Sequence, residues 1–195
     1  MLPQNKKIIL ASKSPRRQTL LKELNVEFEI RLKEVDEIYP EHLKGVEVPV
    51  FLSKLKAEAF KNDLKDDEVI ITSDTIVCLN DAILGKPLDR NDAIAILKAL
   101  SGKMHHVHTG VTIQQKDSSY TFSESTEVYF KKLSDTEITY YIDTFKPFDK
   151  AGAYGIQEWI GYIGIEKING CFYNVMGLPL FRLHQEFLRL GVVSL

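Results

Sequence analysis

Residues 6–24 read KKIILASKSPRRQTLLKEL, and the fold turns on how this stretch is divided. Residues 7–11 form a short apolar run fit for a buried strand. Ser14 is placed to cap a helix with Pro15 at its first position, and Leu20, Leu21 and Leu24 supply the inward face. The turn between strand and helix concentrates hydroxyls and cations where free backbone N–H groups and the positive end of a helix dipole meet. Ser12, Ser14, Arg16 and Arg17 suit an anion at that point. They suit a well-capped helix with solvated arginines equally well.

Outward from this unit, strands and helices interleave irregularly. Residues 28–32 read as a second strand, and Pro49 opens a helix whose apolar stripe is Phe51, Leu52, Leu55 and Ala59. Residues 68–73 and 75–79 are β-branched and strand-like on either side of Asp74, with Asn80-Asp81 as a tight turn. Asp89 or Asn91 caps a helix that Gly102 terminates. Residues 105–114 and 120–130 alternate as a hairpin, and Ser134 with Glu137 makes a capping box. Residues 162–168 and 171–175 flank Asn169-Gly170 as a second hairpin, and Pro179 starts a closing helix. The pattern predicts a mixed α/β fold with two lobes on a central sheet. No repeat or linker divides it, so one domain spans residues 1–195.

The composition is that of a soluble globular chain, 44% hydrophobic and 27% charged. A net charge of −2 argues against a nucleic-acid coat or a polybasic membrane anchor, so any anionic ligand must meet a local cluster of Lys and Arg. Cys78 and Cys171 lie far apart without metal-site spacing and read as small hydrophobes in a reducing compartment. The opening MLPQNKKIILAS is interrupted too soon for a signal peptide, and no apolar run reaches membrane-spanning length. The expectation is a cytosolic protein with neither nucleic acid nor membrane as partner.

Several further residues carry possible chemistry. Asp74, between IIT and IVCL, is costly to bury without a partner, and is either a turn residue or a functional carboxylate. Lys86 is held between Gly85 and Pro87. Asp36 and Glu37 follow the second strand, and with Asp74 their oxygens suit Mg²⁺ or Mn²⁺, although a solvated loop explains them as well. Lys54 and Lys56 lie on the helix begun by Pro49, with Lys56 at the border of the apolar stripe. Of His105, His106 and His108 only the last two share a strand face, which favours ordinary strand residues over a metal cluster. The segment KAGAYGIQ, residues 150–157, implies a tight turn, which is either a structural glycine corner or a place from which Gln157 could offer a paired donor and acceptor to a base edge. There is no G-x-x-x-x-G-K-[ST] loop and no G-x-G-x-x-G after a strand.

In order along the chain, LASKSPRRQTLL, SDTIV, LGKP, the L-S-G-x-x-H-x-V segment at residues 100–107, DKAGAYGIQ and V-M-G-L-P-L together resemble the Maf (septum formation protein) family. The resemblance runs from residue 8 to about residue 183. It implies a nucleoside triphosphate pyrophosphatase that cleaves between the α- and β-phosphates with a divalent metal, Mg²⁺ or Mn²⁺. The implied fold has two lobes around a cleft and is similar to that of inosine triphosphate pyrophosphatases. By the same resemblance Asp74 is the proton acceptor. Arg16, Thr75 and Gln157 are the positions tied to substrate choice in the dTTP/UTP branch. Arg17, Glu37, Lys56 and Lys86 are cleft residues, with Glu37 and Asp74 at the metal and Ser12 and Ser14 in the phosphate-binding loop.

The branch that prefers 7-methylated GTP resembles SPWRR, where this chain has SPRR. Lys13 and Ser73 replace small residues common in the family, and EWIGY follows Gln157 where many relatives have GLGG. A homodimer is compatible with the resemblance. A non-catalytic, nucleotide-binding regulator of cell division and a pyrophosphatase for purine analogues such as ITP are the alternative readings.

Overall fold

The computed structural model describes all 195 residues. Strand β1 (Lys7–Leu10) buries Ile8, Ile9 and Leu10 completely, as a strand covered on both faces must. It is flanked in parallel by β2 (Phe28–Ile30) and β3 (Glu68–Leu79). Helix α1 (Pro15–Glu23) follows β1, capped by Ser14 with Pro15 in its first turn. The sheet continues antiparallel through β5 (Met104–Gln114), β6 (Ser119–Phe130) and β7 (Ile165–Asn169), in the order β2-β1-β3-β5-β6-β7. The short β4 (Ala82–Leu84) turns back on the far end of β3 through Asn80, which takes a positive φ of 53°.

Strand β3 is the spine. Its odd-numbered side packs at Val69 and Ile71 against Leu183 and Phe187 of α7 (Leu180–Arg189). Further along, Val77 joins a separate core with α3 (Arg90–Leu100) and α4 (Asp135–Phe145). These two cores hold 16 buried residues each, so both lobes are substantial. The even-numbered side faces α2 (Glu47–Glu58), whose Val48 and Leu52 cover Ile76 and Cys78. Helix α2 comes close to the sheet because Gly110 lies beneath it: a Cβ there would stand 2.3 Å from the Pro49 carbonyl oxygen. Gly110 is also the cross-strand partner of Asp74.

Three expectations about secondary structure need correction. The segments on either side of Asp74 are one continuous strand, because Asp74 finds an ammonium partner and does not have to break the ladder. Pro49 sits in the first turn of α2 rather than at its start, where its missing N–H is one of the helix's unpaired donors in any case. The second hairpin does not form. Helix α5 (Trp159–Gly164) occupies the first part, β7 pairs with β6, and α6 (Phe172–Val175) follows. The free edge of β6 takes β7, while Thr126 Oγ1 bonds both the Cys171 N–H (3.0 Å) and the Cys171 carbonyl (3.1 Å), turning the chain away. No helix is long and apolar enough to cross a membrane, and both cysteines are free.

His105 is fully buried, not an ordinary strand polar residue. Its Nε2 bonds the Tyr154 hydroxyl at 2.8 Å, and its ring meets Phe130 and Tyr154 edge-on. Burial first, then the neighbouring His106, lowers its pKa from 6.5 to about 4. The unfolded chain therefore takes up this proton before the folded one. Stability from the neutral ring is complete above pH 6.5 and is lost as the pH falls through about 4. The loss amounts to about 3 kcal/mol. Thermal unfolding from pH 7 to pH 4 should show a steeper acid-side loss in the wild type than in His105→Phe; parallel profiles would refute this role.

Candidate active site

Strand β1 pairs with β3 only as far as Ile71, and β4 begins pairing at Val77. Between them one edge of β3 has no strand beside it. The turn after β1 opens at this gap. Ser12 Oγ accepts the Ser14 N–H at 3.2 Å, Gln18 Nε2 donates to the Ser12 carbonyl at 3.1 Å, and Ser14 Oγ caps the Arg17 N–H. Arg17 reaches across the bare edge. Its Nη1 donates to the Ser73 carbonyl (2.9 Å), Nη2 to Thr75 Oγ1 (2.9 Å) and Nε to the Gly177 carbonyl (2.8 Å). Gly177, at φ +105°, also accepts from Ser73 Oγ at 3.1 Å. Thr75 Oγ1 is shared with Thr109 at 2.9 Å. Burial pushes the Arg17 pKa down and Asp74 pulls it back, and an arginine remains charged throughout.

On the opposite side of β3, Asp74 is only 8% exposed. Its Oδ1 accepts Lys56 Nζ at 2.7 Å, and the same ammonium pairs with Glu37 Oε1 at 3.0 Å. Lys56 comes from the last turn of α2, and Glu37 from an exposed connection without helix or strand. Lys54, on the same helix, faces solvent. Asp36 lines the cleft but makes no ion pair with Lys56.

The third wall is the KAGAYGIQ turn. Gly152, at φ +70°, fits against Val77, where a Cβ would stand 2.9 Å from the valine methyl, and its N–H bonds the Gly85 carbonyl at 3.0 Å. That bond ties the loop carrying Lys86 to this wall. Arg16 Nη1 donates to Asp149 Oδ2 at 3.2 Å, and Asp149 Oδ1 accepts Lys150 Nζ at 2.7 Å. Burial would raise the Asp149 pKa, but Lys150 and then Arg16 hold it below the usual range.

Ser12, Ser14, Arg16, Arg17, Glu37, Lys56, Asp74, Thr75, Lys86 and Gln157 all line one cleft of about 630 Å³. Seven Lys and Arg face five Asp and Glu along it, an excess of positive charge within a chain of net −2. Lys13 and Lys86 also stand on its wall, and neither has a carboxylate partner. Thr109 completes the constellation with no local signal in the sequence, whereas Gly177, Asp149 and Lys150 lie within the V-M-G-L-P-L and DKAGAYGIQ segments without a role of their own assigned there.

No group of three or more His, Cys, Asp or Glu side chains is arranged to hold a metal ion. Asp74 and Glu37 do converge on one cationic point. That donor pair fits an ion such as Mg²⁺, which takes one or two carboxylates and completes its shell with phosphate oxygens and water.

A family model described as Maf-like protein matches residues 7–190. The chain belongs to the Maf family. A dTTP/UTP pyrophosphatase of Parabacteroides distasonis is 54% identical to this Maf chain over 181 residues, 92% of the chain and 94% of that protein. A dTTP/UTP pyrophosphatase of Flavobacterium psychrophilum is 51% identical over 181 residues, 93% of each. Among solved structures, the Staphylococcus aureus Ham1 protein aligns with a TM-score of 0.54 at 15% identity, over 95% of this chain and 100% of that one. The Ham1 likeness bears on the two-lobed α/β fold alone.

Arg17→Lys should cost about 1–3 kcal/mol, because an ammonium cannot satisfy the Ser73 and Gly177 carbonyls and the Thr75 hydroxyl together. A Tm equal to that of the wild type would show that Arg17 does not tie the open edge of β3.

Proposed function

We propose that the chain hydrolyses dTTP and UTP at the α–β phosphoanhydride, releasing the nucleoside monophosphate and pyrophosphate. The observation that carries this reading is the Lys56 ammonium clamped between Asp74 and Glu37, in the same cleft as the serine turn at Ser12–Ser14. The high identity to two relatives named dTTP/UTP pyrophosphatase supports the choice of substrate.

In this reading the phosphates lie over the α1 N-terminus, where the Ser12 and Ser14 hydroxyls and free N–H groups receive them. Lys86 has no internal partner and adds its charge from the β4–α3 connection. Asp74 takes the proton of the attacking water as the new P–O bond forms and the bridging P–O bond breaks. Lys56 fixes the Asp74 carboxylate in place and, with Arg16 at the rim, stabilises charge gathering on the phosphoryl oxygens. A divalent cation held by Asp74 and Glu37 would shield the phosphate charge and polarise the scissile bond. Gln157 offers its amide to the base, and Thr75 acts through the Arg17 network. A regulator that only bound nucleotide would have no use for a carboxylate paired in this way.

Asp74→Asn keeps the shape but removes the proton acceptor, and should lower turnover on the order of 10²–10⁴-fold. Pyrophosphate release near the wild-type rate would remove Asp74 from that role. Incubated with dTTP, UTP, CTP, ITP and 7-methyl-GTP plus Mg²⁺ or Mn²⁺, the chain should release pyrophosphate fastest from dTTP and UTP, and a chelator should stop it. Silence on every nucleotide would overturn the proposal.

A further inference from the structure

Behind the Arg16–Asp149 pair lies a chain of contacts that the proposed chemistry does not use. Lys150 Nζ, besides binding Asp149, pairs with Glu158 Oε1 at 3.1 Å. Glu158 Oε2 in turn accepts a hydrogen bond from the hydroxyl of Tyr141, a fully buried residue of α4. Charges therefore alternate from the core of the second lobe to the cleft: Glu158, Lys150, Asp149, Arg16. Lys150 is itself buried, so a partner on each side is what makes its position tenable. Burial first, then Glu158, holds the Tyr141 hydroxyl far above its usual range, so it remains a donor to the carboxylate. The same hydroxyl accepts the Gly155 N–H at 3.0 Å and thereby anchors the turn that ends in Gln157.

Gly155 brings the second group into contact with this chain. A Cβ on it would stand 2.8 Å from Glu158 Cδ and 3.1 Å from Gln157 Nε2. Carboxylate and amide thus crowd the single space that the glycine leaves open. Next to a carboxylate, the NH₂ end of an amide is favoured over its carbonyl end. The Gln157 carbonyl oxygen is buried without a hydrogen-bond partner, and the NH₂ is the end of the amide that stays accessible on the cleft wall.

We infer that Glu158 is a positioning residue for base selection: it orients the Gln157 amide with its NH₂ toward the cleft and, through Lys150 and Asp149, sets the Arg16 guanidinium. This rests on the pyrophosphatase reading above. An NH₂ donor meets the C4 carbonyl of uracil or thymine and opposes the C4 amino group of cytosine. A site built to bond one group rejects the analogue that lacks it, because its own polar atom is left unpaired.

UTP and CTP differ only at the C4–N3 edge, where uracil has a carbonyl and an N–H and cytosine an amino group and a bare nitrogen, so the test is to measure kcat and KM for both with the full chain and with Glu158→Gln and Tyr141→Phe. In Glu158→Gln the UTP-over-CTP ratio of kcat/KM should fall about tenfold, with the loss falling on the KM for UTP more than on kcat. Tyr141→Phe keeps the ring and loses the hydroxyl, so it should shift the ratio in the same direction by less. It also stands alone as the test if Glu158→Gln does not fold. A purely structural role would slow both nucleotides by one factor, and that result, or a wild-type ratio in both variants, would overturn the inference. Wild-type protein that hydrolyses neither nucleotide would instead remove the pyrophosphatase reading and this inference together. A wild type that prefers UTP, with an unmoved ratio in the variants, removes only the role of Glu158.

Discussion

For five residues, from Thr72 to Ile76, β3 runs with one edge bare, past the end of β1 and short of β4. Backbone groups there must be satisfied without a neighbouring strand. Arg17 supplies part of the solution, binding the Ser73 carbonyl and the Thr75 side chain from a helix that starts just after β1. The cleft follows from the same gap: a strand in that place would exclude the turn, the helix N-terminus and any ligand together. The crevice beyond the carboxyl end of a parallel strand is a common place for ligands in α/β sheets, and here a shortened β1 widens it.

Charge in this cleft is arranged before any substrate arrives. Lys56, Arg16 and Lys150 each hold a carboxylate, so their positions are set and their long side chains have little freedom left to lose. Lys13 and Lys86 are unpaired, and supply attraction that internal acids do not already balance. A polyanion entering such a site exchanges solvent for groups that are already oriented, which is the condition under which electrostatic stabilisation is strongest.

Much of the site was legible because its parts are local. The strand, serine turn, Pro15 and arginines form one contiguous signal, and Asp74 stood out as a charge inside an apolar run. What the sequence concealed was pairing at a distance. Asp74 reads locally as a break between two strands because its partner, Lys56, lies on another element. The segment after Gln157 is short, apolar and aromatic, a pattern that fits helix and strand alike. The open edge of β6 decided the matter, and no local residue announces that edge. Glu158 read as a departure from family pattern until Tyr141 and Lys150 were seen on either side of it.

Gly110 lies opposite Asp74 in the ladder and directly beneath the first turn of α2. The helix rests there backbone against backbone, and two turns later it delivers Lys56 to the carboxylate. The distance between sheet and helix at one end therefore sets the reach of the ammonium at the other. In genetic terms the active site extends to a residue that never meets the nucleotide. A single methyl group on β5 would act on the chemistry as a lever acts on its load, even with every ligand-facing side chain kept.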